Sequence, residues 1–122
     1  MNLNEYQEKA MTTCMPSSHN HLYMLFGLCE EVGELQGKIA KAIRKGMLTT
    51  NEQNCFMSTD EGFGKNDGLV EDIKKELGDV AWMLAGVCSV HDWSLEEICQ
   101  MNLDKLADRQ KRNVIVGEGD NR

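Results

Sequence analysis

Along most of the chain apolar residues recur at intervals of three and four, the period of a helix that buries one face. A first segment of this kind covers about residues 3–14 and ends near Pro16, after which Ser17 and Ser18 offer capping hydroxyls. A second runs from about His21 to Lys45, where Leu22, Leu25, Cys29, Val32, Ile39 and Ile43 mark out a stripe predicted to be buried, and Gly46 stops it. A third begins near Leu69 and carries Val70, Ile73, Leu77, Val80, Leu84 and Val87 at the same spacing. The fourth opens at Ser94, with Glu97 three residues on as a capping box, and continues to about Arg112. The pattern predicts an all-α protein, a helical bundle of four main helices.

Two stretches fall outside that period. Residues 47–68 are polar and rich in Thr, Asn and Gly, long for a bundle connection, and read as either disorder or a functional flap. Residues 113–122 are too glycine-rich and polar to extend the last helix. The expected organisation is one helical domain over 1–112 with an insertion at 47–68, followed by a flexible tail.

A second apolar line accompanies each long helix: Leu28, Leu35 and Ala42 on one, Ala81, Met83 and Ala85 on the other. A helix apolar over so much of its circumference is normally enclosed on several sides. Four helices in one chain of 122 residues supply little enclosure. A homo-oligomer, a dimer or tetramer that completes the bundle, is therefore expected.

Composition narrows the range of partners. The net charge of −7 argues against nucleic acid, whose phosphates are bound through clustered Lys and Arg. An acidic protein can still take a small polyphosphate when a metal ion supplies the positive charge. No apolar stretch is long enough to span a bilayer, so no membrane partner is expected. The five cysteines are scattered, and the opening residues show no basic segment followed by an apolar run. Reduced thiols and a cytoplasmic location are the expectation. A zinc site built from Cys14, His19 and His21 would lack a second ligand pair at finger-like spacing.

The chemistry lies in the acids. Glu31 and Glu34 are three apart on the second helix, beside Glu30; Glu76 and Asp79 are three apart on the third, with Asp72 one turn earlier. Residues three apart share a face, so each pair can aim at one point. Converging carboxylates repel, and a bound cation relieves the repulsion. Oxygen-only ligands select a hard ion, Mg²⁺ or Mn²⁺. Each pair adjoins a glycine, Gly33 or Gly78, expected to let the helices approach.

Cations are placed where a polyphosphate needs them. Lys38, Lys41 and Lys45 continue the face of Glu31 and Glu34, while Asn102, Lys105 and Arg109 form one stripe on the fourth helix. Lysines late in a helix also complement its dipole. Trp82, one turn after Asp79, is a candidate to stack on a nucleobase or else a buried aromatic, and Asn20 and His21 either face the ligand or cap their helix. Trp93 reads as packing.

Glu-Glu-Val-Gly-Glu on one helix and Glu-Leu-Gly-Asp on the next resemble the E-E-x-x-E … E-x-x-D signature of MazG-like nucleotide pyrophosphohydrolases, within the all-α NTP pyrophosphatase superfamily. The resemblance extends from about Leu22 to Arg109 and includes the Asn-x-x-Lys-Leu run at Asn102–Leu106. It implies hydrolysis of a (d)NTP to (d)NMP and pyrophosphate, with Glu31, Glu34, Glu76 and Asp79 as Mg²⁺ ligands. Mn²⁺ is a possible substitute, and Glu30 would support a second metal or orient the attacking water. The chain departs from the family pattern in a longer stretch, 35–75, between the two halves, and in Lys75 where relatives often carry an acid. Rival readings are an all-α dUTPase-like enzyme, a non-catalytic helical interaction protein, and a di-iron carboxylate bundle. The last wants Glu-x-x-His pairs, and none of His19, His21 or His91 has an acid three residues before it.

Overall fold

The computed structural model describes residues 1–54, 56–59 and 67–119, without the side chain of Asp67. Four helices account for most of it: α1 (Leu3–Met11), α2 (His21–Arg44), α3 (Asp67–Val90) and α4 (Leu95–Lys111). The all-α architecture is as the periodicity predicts.

Local chemistry sets most helix ends. Asn2 and Glu5 form a two-way capping box at the start of α1. Its other end comes at Met11, earlier than expected, where the Thr12 and Thr13 hydroxyls donate back to the Lys9 and Ala10 carbonyls. The cap of α2 is Asn20, whose side chain accepts from the Tyr23 amide, and not Ser17 or Ser18; the Asn20 amide group instead donates to the Ser17 carbonyl. Gly46, at φ 67, ends α2 with its amide on Ile43 and the Met47 amide on Ala42. That left-handed turn is one glycine adopts without strain. Ser94 caps α4 by accepting from the Glu97 amide.

The polar segment after α2 holds a short antiparallel hairpin, β1 (Leu48–Thr50) with β2 (Phe56–Ser58), in which Thr49 faces Met57. The Thr59 amide and hydroxyl close its base on the Met47 and Gly46 carbonyls. Part of the expected flap, residues 55 and 60–66, lies outside the described residues.

α2 and α3 pack antiparallel as the central pair, and α1 and α4 lie against α3. α1 ties the corner between α3 and α4. Trp82 donates its indole N–H to the Ala10 carbonyl and to Thr13 Oγ1, Gln7 bonds to the Trp93 carbonyl and the Leu95 amide, and Ser94 Oγ donates to Asn4. Ala85, Cys88 and Leu95 form a small core there, with Tyr6, Ala10 and Met11 packed on it.

Spacing alone places the apolar stripes only in part. Leu22, Leu25, Cys29, Val32 and Ile43 of α2 are exposed, as are Val70, Leu77 and Leu84 of α3. What is buried is Met24, Gly27 and Ala42 on α2, and Met83, Ala85, Gly86 and Cys88 on α3. Of the second line only Ala42, Met83 and Ala85 are buried; Met24, Gly27 and Gly86, on neither line, complete the intrachain contact, because small residues and unbranched Met let two helices meet closely. Several larger branched residues are left facing outward, while Ile39, Ile73, Val80 and Val87 are half-buried. No described helix is long and apolar enough to cross a membrane.

Candidate metal centre

Two reciprocal contacts set the register of α2 against α3. A β-carbon on Gly86 would collide with Sδ of Met24, and one on Gly27 would lie 2.5 Å from Cε of Met83. Each helix thus offers a glycine to the other's methionine. One turn further along both helices from the Gly27–Met83 contact, the same faces present Glu31 on α2 and Asp79 on α3. The next shared positions are Glu34 and Glu76, and one turn beyond them Lys38 and Asp72. Apolar packing at one end of the pair thereby brings the acids face to face in its middle.

The carboxylates of Glu31, Glu34 and Glu76 converge, with one oxygen from each within 4.8 Å of the others. Glu76 is buried, Glu31 half-buried and Glu34 exposed, so the cluster opens toward solvent on the α2 side. Oxygens around Mg²⁺ lie at about 2.0–2.1 Å from the ion, hence up to about 4.2 Å from one another across it. The three carboxylates thus fit a hard divalent cation with small side-chain movements. Asp79 is not within this group of three. Its charge nevertheless acts on it: burial first, then Asp79, Glu34, Glu76 and Glu30, push the Glu31 carboxyl above its ordinary value. Burial and the Asp79 charge likewise raise the Tyr6 phenol.

Lys38 reaches across from α2 to Glu76, Nζ to Oε1 at 3.0 Å. The hydrogen bond to Glu76 holds its ammonium above the ordinary value, against a smaller opposing effect of desolvation. Beside the cluster a cleft of about 390 Å³ is lined by Glu30, Gly33, Glu34, Gly37, Lys38 and Lys41. It continues past Lys38 and Lys41 into a second cleft of about 260 Å³ that reaches Lys45, Met47 and Asp72. Gly33 and Gly78 do not mediate helix contact, since a β-carbon on either would meet nothing within 4 Å. Gly33 instead leaves room in the cleft.

The α4 candidates are not brought to this site. Asn102 and Lys105 line a separate hollow with Ile98 and Met101. Arg109 is buried, 5% exposed, and its guanidinium donates to the Gly119 carbonyl, which folds the described part of the tail back onto α4. The indole N–H of Trp82 is committed to α1, so this ring is a strut between helices. Nor do Cys14, His19 and His21 gather. His21 Nδ1 lies 2.6 Å from His91 Nε2, His19 bonds to Ser89, and His91 stacks on Trp93. Spacing along α4 shows which side chains share a face, not which way the helix is turned. The Lys38–Glu76 pair was equally hidden, because it depends on the register between two helices.

The family profile described as MazG nucleotide pyrophosphohydrolase domain matches residues 19–114, from the α2 cap to the end of α4. The chain is also similar to the Gene 37 protein of Mycobacterium phage L5, at 36% identity over 101 residues, 82% of this chain and 75% of that protein. No solved structure gives a significant match. The match runs over all of α2, α3 and α4 and includes the three converging carboxylates, and on it the chain belongs to the MazG nucleotide pyrophosphohydrolase family.

Proposed function

We propose that the protein hydrolyses nucleoside triphosphates, (d)NTP, to the monophosphate and pyrophosphate with a hard divalent cation, Mg²⁺ or in its place Mn²⁺, held by Glu31, Glu34 and Glu76. The observation that carries this reading is the meeting of three carboxylates from two helices, one of which, Glu34, also lines a cleft with Lys38 and Lys41. Acid and base side by side suit a ligand that is both metal-bound and anionic, which describes a polyphosphate.

When bound, the cation would screen phosphate charge and acidify a coordinated water, enough to make a nucleophile near neutral pH. The side chains do the rest. Glu31, Glu34 and Glu76 would hold the cation where the α-phosphate comes to lie, and Glu30, on the cleft wall, accepts a proton from the attacking water. Asp79, one turn beyond Glu76, would complete the ligand set or support a second ion. Lys38 and Lys41 bind the β- and γ-phosphates, whose charge grows as pyrophosphate leaves. Asn102, Lys105, Arg109 and Trp82 are left out of the substrate contacts within one chain.

The bundle works as a homo-oligomer in this account. Leu22, Phe26 and Ile43 on α2 and Met101 and Leu103 on α4 are exposed, Phe26 by 71%, more large apolar surface than a small monomer usually carries. A second copy is the occupant that the doubled apolar lines call for.

A screen of common and damaged NTPs and dNTPs with Mg²⁺, read out as pyrophosphate, tests the reading. Metal-dependent pyrophosphate release from at least one of them, abolished by EDTA and by Glu34→Gln, is expected. Release of orthophosphate alone, or none from any nucleotide, would overturn it.

A further inference from the structure

The acid cluster already has a positive partner. Glu76, 8% exposed, is the most buried of the three carboxylates, and a carboxylate so enclosed needs a cation nearby to remain charged. That cation is Lys38, which comes from the facing helix, one turn past Glu34, and donates to Oε1 of Glu76 at 3.0 Å. The ammonium therefore stands at the edge of the oxygens that would surround a metal. A divalent ion bound to a Glu76 oxygen at about 2.1 Å would lie within about 5 Å of Nζ, where the two positive charges repel strongly. The two compete for the cluster, since each weakens the other's hold on Glu76.

Lys38 has somewhere else to go. It forms part of the wall of both clefts, the one running beside Glu34 and the one running toward Lys45. Its flexible four-carbon stem can turn the ammonium from Glu76 into either without moving the helix. A polyphosphate lying along those clefts would supply the anion that Lys38 loses when it leaves Glu76.

We propose that Lys38 is a resident counter-ion of the acid cluster, displaced by the divalent cation and taken up by the nucleotide's phosphates. The consequence is coupling: metal binding frees Lys38 for the phosphates, and phosphates that hold Lys38 clear the cluster for metal. Each ligand tightens the other by the same factor. Without nucleotide, Lys38 competes with the metal for the cluster and weakens its binding without abolishing it. The inference rests on the metal-site reading above and adds to it how the site is regulated.

Mn²⁺ alone is the probe, titrated into the full-length protein with free Mn²⁺ followed by electron paramagnetic resonance, no nucleotide present. Lys38→Met removes the competing charge at similar length, and it is expected to bind Mn²⁺ about fivefold more tightly or better than wild type, the lower end of ordinary coupling between ligands. Lys38→Arg, which keeps the charge, should bind as wild type does. At saturating Mn²⁺ the Lys38→Met protein should show a raised KM for nucleotide, a sign opposite to that of its metal affinity. A general loosening of the fold would weaken both, and Lys38→Gln serves if the Met variant fails to fold. Equal or weaker Mn²⁺ binding by the charge-removed variant, with wild type binding and Glu34→Gln not, overturns the counter-ion role and leaves the metal site standing. No saturable binding by wild type, or binding that survives Glu34→Gln, overturns both.

Discussion

Sδ of Met24 fills the space in which residue 86, were it not glycine, would carry its β-carbon. Met24 is fully buried, 0% exposed, so its side chain has little room to yield. Gly86→Ala is expected to destabilise the protein by about 1–3 kcal/mol, the usual cost of overfilling a packed contact. Met24→Ala should cost much less in the Gly86→Ala background than in wild type, because the two changes share one space. Urea unfolding of the four proteins checks this; additive effects would show that the contact does not set the helix pairing.

How much of this was legible in the sequence follows from that contact. The four helices could be read from the period of three and four, and the Ser94 cap from residue type alone. Glu31 and Glu34 could be paired because helix geometry brings residues three apart onto one face, and the family motif adds Glu76 to them; the same spacing pairs Asp79 with Glu76, yet Asp79 falls outside the group of three. Which apolar line meets the neighbouring helix could not be read. Leu22, Leu25 and Leu77 look like core by size, yet Gly27, Gly86 and two methionines win the contact because close approach favours small partners. The turning of α4 was hidden for the same reason, so Lys105 and Arg109 were grouped with an acid cluster to which α4 does not bring them.

The metal-free cluster should make stability fall with rising pH. The Glu31 carboxyl is raised above its ordinary value, by burial first and by the neighbouring acids second. A carboxyl raised in the folded state holds its proton more tightly there than in the unfolded chain. Its contribution is therefore fully present below the unfolded value and is lost as pH rises through the folded one. In EDTA, Glu31→Gln should gain on wild type as pH climbs through and just above the carboxylate range, then hold a constant lead. Urea midpoints across that range measure it; a lead that does not grow with pH would mean the cluster is not repulsive.

The hairpin of β1 and β2 should affect substrate and leave the metal alone. Met47, beside its base, lines the second lysine cleft, while the carboxylates lie further back, Glu31 and Glu34 on α2 and Glu76 on α3. Replacing residues 48–58 by a short Gly-Ser link should preserve the helical circular dichroism and Mn²⁺ binding and change KM for nucleotide. Unchanged kinetics across several substrates would make the hairpin a passive insertion.

Light scattering at micromolar concentration should give a mass at a multiple of the 13.8 kDa of one chain. Phe26→Asp, which puts a charge in the exposed apolar face of α2, should lower that mass toward a single chain. A monomer with full activity in the wild-type protein would contradict the assembly.

The central claim is that water attacks the α-phosphorus at a cation held by Glu31, Glu34 and Glu76. Hydrolysis of an accepted nucleotide in ¹⁸O-labelled water with Mg²⁺, followed by mass spectrometry of the products, tests it most directly. The account predicts one ¹⁸O in the nucleoside monophosphate and none in the pyrophosphate, at a rate lowered at least about a hundredfold by Glu34→Gln or Glu76→Gln. Label in the pyrophosphate, or a nucleoside diphosphate with labelled orthophosphate, would contradict it.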